Sequence, residues 1–114
     1  MDITELQSSA MQIIIKAGDG RRDTYRAIDA LQVGDTVEVA AQMEAAGESI
    51  KQAHIIHTKM IQAEAQGEEL GYSMLFTHAQ DTLMTAYSEY RLVKKLLPVL
   101  EQFDARIRAL EDKK

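Results

Sequence analysis

His78 and Asp81 are the side chains of this 114-residue chain whose types and spacing suit chemistry. They lie in the run from Leu70 to Thr85, LGYSMLFTHAQDTLMT. Positions three apart on an α-helix are neighbours, so an imidazole and a carboxylate project from one face, with Met74 a turn before and Thr85 a turn after. Gly67 and Gly71 break what precedes and Ser73 is a candidate N-cap, so the run opens a helix. The positive end of a helix favours negative charge by ~0.3–1 kcal/mol at exposed sites. An imidazole is largely neutral and nucleophilic near pH 7, and its N-phosphoryl bond is labile. Position 78 therefore suits a phosphoryl acceptor, against the ordinary reading of a half-buried helix histidine. Thr77, Gln80 and Thr82 offer hydrogen-bonding groups within one turn of it. Asp81 would repel a phosphoryl group beside it, so its carboxylate must point elsewhere; its plain reading is a solvated acid near a helix start.

Other chemistries find less support. His54 and His57 have helical spacing and could form a metal trio with His78. They lack the i, i+4 pair with an intervening Glu that marks zinc proteases, and packing histidines are the ordinary case. The chain has no cysteine, which excludes a disulfide framework and a thiolate metal site. Ser88 and the tyrosines have no partner constellation for nucleophilic catalysis, and Gly18-Asp19-Gly20 lacks the Lys and Ser/Thr of a phosphate-binding loop. A phosphoryl donor would have to be another protein.

The elements that must position His78 are helices. Hydrophobic residues make up 46 % of the chain, with four Tyr, two Phe, no Trp and a single Pro. Such a core of Ala, Leu, Ile and Met predicts an all-α fold in one domain, residues 1–114. A first helix over about 4–33 begins at the capping-box pattern Thr4-Glu5-Leu6-Gln7 and carries Leu6, Ala10, Ile13 and Ala17 on one stripe. Gly18-Asp19-Gly20 interrupts that stripe and predicts a bend, while Thr24, Ile28 and Leu31 continue its phase. Gly34 reads as a C-terminal cap and Asp35 as the next N-cap. A second helix over about 36–66 presents Val39, Met43, Ala46, Ile50, Ala53, His57 and Met60 as its seam. The short connection Gly67–Ser73 makes the third helix, about 73–110, fold back antiparallel. Phe76, Ala79, Leu83, Ala86, Tyr90, Val93 and Leu97 form its stripe. Pro98 predicts a kinked extension, frayed from about Glu111.

Three helices of such length leave apolar positions uncovered, with Ile14, Ile15, Ile55, Ile56, Leu75, Met84 and Leu92 as candidates for a self-association surface. The net charge of −5 with interspersed signs weighs against nucleic acid as a partner. The longest apolar run, Met11 to Ile15, falls far short of the ~20 residues a membrane helix needs. Asp2 and Glu5 are unlike a signal peptide's basic start, so a soluble cytoplasmic protein is expected.

His78-Ala79-Gln80-Asp81 with Leu83-Met84, preceded by Gly67-Glu68-Glu69-Leu70, Tyr72-Ser73 and Ala53-His54 with Thr58, resembles the lactose/cellobiose type of enzyme IIA. These proteins belong to the bacterial phosphoenolpyruvate-dependent sugar phosphotransferase system. The resemblance runs from about Met1 to Leu100. It implies an antiparallel three-helix bundle assembling into a homotrimer, with His78 accepting a phosphoryl group from the histidine-containing phosphocarrier protein. The group would pass to a IIB component for uptake of a β-linked disaccharide such as lactose, cellobiose or chitobiose. It also implies Asp81 near the trimer axis, with a divalent cation such as magnesium as the one cofactor. Where the family has a second histidine directly after the aspartate, this chain has Thr82. That exchange supports the alternative of a trimeric helical interaction or regulatory protein without phosphotransfer, whereas His78 and Gln80 support the relay. His57 is a candidate to replace the missing imidazole in part.

Overall fold

Asp2, not Thr4, starts the first helix. Its carboxylate accepts the Glu5 amide N–H at 2.8 Å, and the Glu5 carboxylate accepts the Asp2 amide at 3.2 Å. A carboxylate with Glu three residues on makes the capping box two positions earlier than the Thr4 pattern predicts, and Thr4 lies inside the helix. The computed structural model describes residues 1–113, in which α1 spans Ile3–Gln32, α2 Thr36–Ala65 and α3 Met74–Glu111. No strand occurs among the described residues.

The turns follow from local chemistry. Gly34 and Gly67 adopt φ of +75° and +96°, which only glycine enters without strain. At each, the residue's own N–H and the next one reach back to carbonyls three and five residues earlier: Gly34 to Leu31 and Asp35 to Ala30, then Gly67 to Glu64 and Glu68 to Ala63. These paired bonds close α1 and α2. Asp35 caps α2 through the Glu38 amide at 3.0 Å, and Ser73 caps α3 through the Phe76 amide at 3.1 Å.

α1 runs unbroken through Gly18-Asp19-Gly20, where a bend is expected from sequence. Gly20 is buried against α2, and a Cβ built on it would stand 2.5 Å from Ile50 Cγ1. Its bare backbone lets the two helices approach closely. Thr24 then caps its own burial by donating its hydroxyl to the Gly20 carbonyl at 2.8 Å. α3 likewise continues through Pro98 to Glu111.

Leu6, Ala10, Ile13 and Ala17 of α1, Ile50, Ala53 and Met60 of α2, and Ala79, Leu83 and Ala86 of α3 form one buried cluster. A second joins Ala27, Ala30, Val39 and Met43, with Val93 and Leu97 packed on it. α1 packs against both other helices, which touch each other least. The molecule measures 68 × 21 × 18 Å with a radius of gyration of 18.6 Å, against about 13 Å for a compact 100-residue domain. Such a rod covers one stripe per helix. Ile15, Ile55, Met84 and Leu92 are exposed as expected, whereas Ile14, Ile56 and Leu75 are half-buried against the core. No helix among the described residues is long and apolar enough to cross a membrane.

Candidate functional site

α3 begins at Ser73, so His78 sits in its second turn, at the end of the rod formed by the C-terminus of α2 and the N-terminus of α3. Its side chain is exposed. No acidic residue occupies the first turn of α3, so the helix's positive pole there favours negative charge, with Asp81 the acid one turn beyond His78. Beside it Tyr72 and Met74 are 83 % and 74 % exposed, which leaves an aromatic and a thioether side chain in water near the imidazole.

The hydroxyls expected around His78 are occupied locally. Thr77 donates to the Ser73 carbonyl at 3.0 Å, and Thr82 donates to the carbonyl of His78 itself at 2.8 Å. Both are the i to i−4 back-bonds that threonine makes within helices. Their lone pairs remain, but their protons are committed to backbone rather than aimed at a phosphoryl group. Asp81 is exposed and forms no ion pair among the described residues.

Gln80 turns away from His78. Two residues on a helix differ by about 200°, and its amide nitrogen lies 3.1 Å from Nε2 of His57 on α2. His57 stacks on Phe76 with ring centroids 6.0 Å apart, and His54 meets Tyr87 edge-on at 4.6 Å. Burial, then the neighbouring charge of His54, lowers the His57 pKa below the ordinary histidine range, which favours the neutral ring that accepts from Gln80. Nε2 of His54 is buried without a hydrogen-bond partner among the described residues. His57 thus joins a seam between α2 and α3 and is engaged there by Gln80. The expected association of Gln80 with the His78 site gives way to this contact, because the helix turn carries the amide onto the α2 side.

The spacing along α2 puts His57 in its seam, and Gln80 follows Ala79 of the α3 stripe. The signal for their meeting was that both seams face one core; the register that joins residues 57 and 80 was not readable. As for metal, the described residues of one chain hold no group of three His, Cys, Asp or Glu side chains placed to bind an ion. The expected metal binding therefore has no support within a single chain.

Comparison with known proteins agrees with this geometry. The family described as PTS system, lactose/cellobiose specific IIA subunit, matches residues 8–101. A lactose-specific EIIA component of Staphylococcus aureus is 36 % identical over 97 residues, covering 85 % of this chain and 94 % of the relative. The crystal structure of a cellobiose-specific enzyme IIA from Bacillus anthracis superposes with a TM-score of 0.82 at 30 % identity, over 92 % of this chain and 94 % of the other. The IIA(chitobiose) subunit solved in solution with HPr, from the Escherichia coli phosphotransferase system, superposes with a TM-score of 0.72 at 27 % identity, over 87 % of this chain and 96 % of the other.

Proposed function

Because the chain belongs to the lactose/cellobiose family of phosphotransferase-system IIA subunits, and so is a phosphotransferase component, we propose that His78 is the phosphoryl carrier of a sugar-uptake relay in the cytoplasm. The observation that carries this reading is the exposed imidazole in the second turn of α3, flanked by solvent-exposed Tyr72 and Met74, at a helix start whose first turn holds no acid. A neutral ring nitrogen of His78 attacks the phosphorus held by the phosphocarrier protein's histidine. One P–N bond forms as the other breaks, and the donor leaves with a neutral imidazole. The reverse sequence on a IIB component frees His78 for another cycle. The HPr complex of the chitobiose relative supports the donor, and relatives specific for lactose and chitobiose support a β-linked disaccharide as the sugar of the pathway. Exposed apolar groups without deep burial suit the weak, short-lived docking a relay needs.

The same reading makes the protein a homotrimer. Asp81, Thr85, Ser88, Leu92, Leu96, Val99 and Phe103 are exposed and recur in steps of three and four along one side of α3, away from the core stripe. Farther on, Leu100, Phe103, Ile107 and Leu110 keep the spacing of a coiled-coil seam, with Phe103 50 % and Leu110 66 % exposed. Arg106 and Glu111 flank that seam at positions that attract across parallel helices and would face like charges across antiparallel ones. Asp81 lies on the stripe, so three copies bring three carboxylates together. Hard oxygen donors of that kind fit a divalent cation such as magnesium, which would offset their mutual repulsion.

Thr82 supports a second reading, in which the trimer binds partners without phosphotransfer. Its hydroxyl is tied to the His78 carbonyl and does not substitute for an imidazole. Incubation with phosphoenolpyruvate, enzyme I and the phosphocarrier protein, wild type beside His78→Gln, decides between them. Acid-labile phosphate on wild type alone is the expected result. No phosphate on either protein, with oligomers intact, would establish the second.

A further inference from the structure

The α2-facing side of α3 carries a groove of about 490 Å³ lined by Tyr87, Tyr90, Arg91, Lys94, Lys95 and Pro98. Gly47 of α2 makes room for one of its walls: a Cβ there would stand 2.6 Å from the Tyr90 hydroxyl. The Arg91 guanidinium lies over the Tyr87 ring at 5.2 Å and the Lys94 ammonium over Tyr90 at 5.8 Å, so two of three cations are seated on aromatic faces. Arg21, Arg22, Arg26 and Arg108 are all ion-paired, yet Arg91, Lys94 and Lys95 are in no ion pair among the described residues. Every lining residue belongs to α3, so the cations of the groove are Arg91, Lys94 and Lys95. Glu44, one turn from Gly47, pairs with none of them. A chain of net charge −5 thus holds an unneutralised positive strip.

We propose that this strip is a docking surface for an acidic segment of a partner protein, separate from the surface around His78. The groove is wide and open, whereas small-molecule sites enclose most of their ligand, so a protein surface is the better match. A cation sits over one face of each tyrosine ring, so an incoming group meets positive charge there, which makes charge the basis of recognition. From Tyr87 to Pro98 the strip runs ~16 Å, about three turns of helix. Tyr87, Lys94 and Pro98 lie more than a quarter-turn around α3 from the Leu92, Val99 and Phe103 stripe, whereas Lys95, three residues from Leu92 and four from Val99, borders it; the strip begins nine residues, ~13 Å, beyond His78. Most of the strip therefore stays open when copies associate through that stripe, with Lys95 at its edge, and a partner there does not cover His78.

The test is fluorescence anisotropy of a labelled Glu/Ala-rich helical peptide titrated with the full chain, beside its Gln/Ala counterpart. Binding of the acidic peptide alone, weakened by about tenfold or more in the R91Q/K94Q/K95Q variant and by added salt, is the expected result. A K16Q/K59Q variant should bind within about twofold of wild type, and relay-driven phosphorylation of the triple variant should be unchanged. Equal peptide binding by the triple variant and wild type would overturn the proposal, as would equal loss in K16Q/K59Q. Full displacement by millimolar inorganic phosphate would reduce the strip to a small-oxyanion site, and slowed phosphorylation of the triple variant would merge it with the relay surface; either result overturns the proposal.

Discussion

Alanine at Gly18 and at Gly20 should change stability in opposite directions, although the two positions are one turn-half apart on the same helix. Replacing a helical glycine by alanine gains about 1 kcal/mol of propensity. Nothing lies within 4 Å of a Cβ at Gly18, so that variant should keep the gain. At Gly20 the new methyl meets Ile50 Cγ1 at 2.5 Å, Ile50 Cδ1 at 3.1 Å and the Ala46 carbonyl at 3.2 Å. Ile50 is fully packed and β-branched, so it has little freedom to rotate away, and the Ala46 oxygen is backbone. Overpacking of this kind costs about 1–3 kcal/mol. Because the propensity gain is common to both variants, Gly20→Ala should be less stable than Gly18→Ala by that same ~1–3 kcal/mol. Urea unfolding at one fixed protein concentration measures the difference, since an oligomer's midpoint depends on concentration. In an Ile50→Ala background the difference should shrink sharply, as contacting sites couple. Equal stability of the two variants in the wild-type background would refute the close-approach account of Gly20.

Leu83, fully buried in the main core, should lose about 2–5 kcal/mol on truncation to alanine, read from the same unfolding curves. The folded pKa of His57 lies below its unfolded value, so between the two the unfolded chain binds more protons and stability rises with pH through that window. Wild type should therefore be less stable at pH 5 than at pH 7.5, and His57→Gln should flatten the dependence seen by thermal melts across that range. Thr82→Val removes only a back-bond to the His78 carbonyl, so relay phosphorylation should stay within about threefold of wild type; a larger fall would give the hydroxyl a direct role. Sedimentation of Asp81→Leu with and without chelator tests the axial cation: loss of trimers in the variant, together with chelator-weakened wild type, is expected. Trimers more stable in Asp81→Leu would mark a buried charge without a cation.

The α-helical fold was legible because each signal was local. Stripes at steps of three and four predict helices, and Gly34, Asp35, Gly67 and Ser73 mark their ends through φ or side-chain oxygen alone. His78 was legible for the same reason: residue type, a nearby helix start and a run of flanking residues all lie within one short stretch. What failed depended on a neighbour distant in sequence. Gly18-Asp19-Gly20 reads as a weak point of α1 until α2 supplies Ile50 as the reason for Gly20, and Gly47 reads as a poor helix former until Tyr90 fills its space. Gln80 looked like a partner of His78 by proximity in sequence, but the helical turn and the α2 register gave it to His57.

Sequence by itself determined the helix count, the carrier candidate and the apolar excess on α3, because periodicity and capping require only a few adjacent residues. Tertiary structure alone decided which glycines are clearances, which histidines are engaged between α2 and α3, and that Arg91, Lys94 and Lys95 line one groove without an ion pair among the described residues. Those depend on the axial register of one long helix against another, and side-chain spacing along each helix leaves that register open.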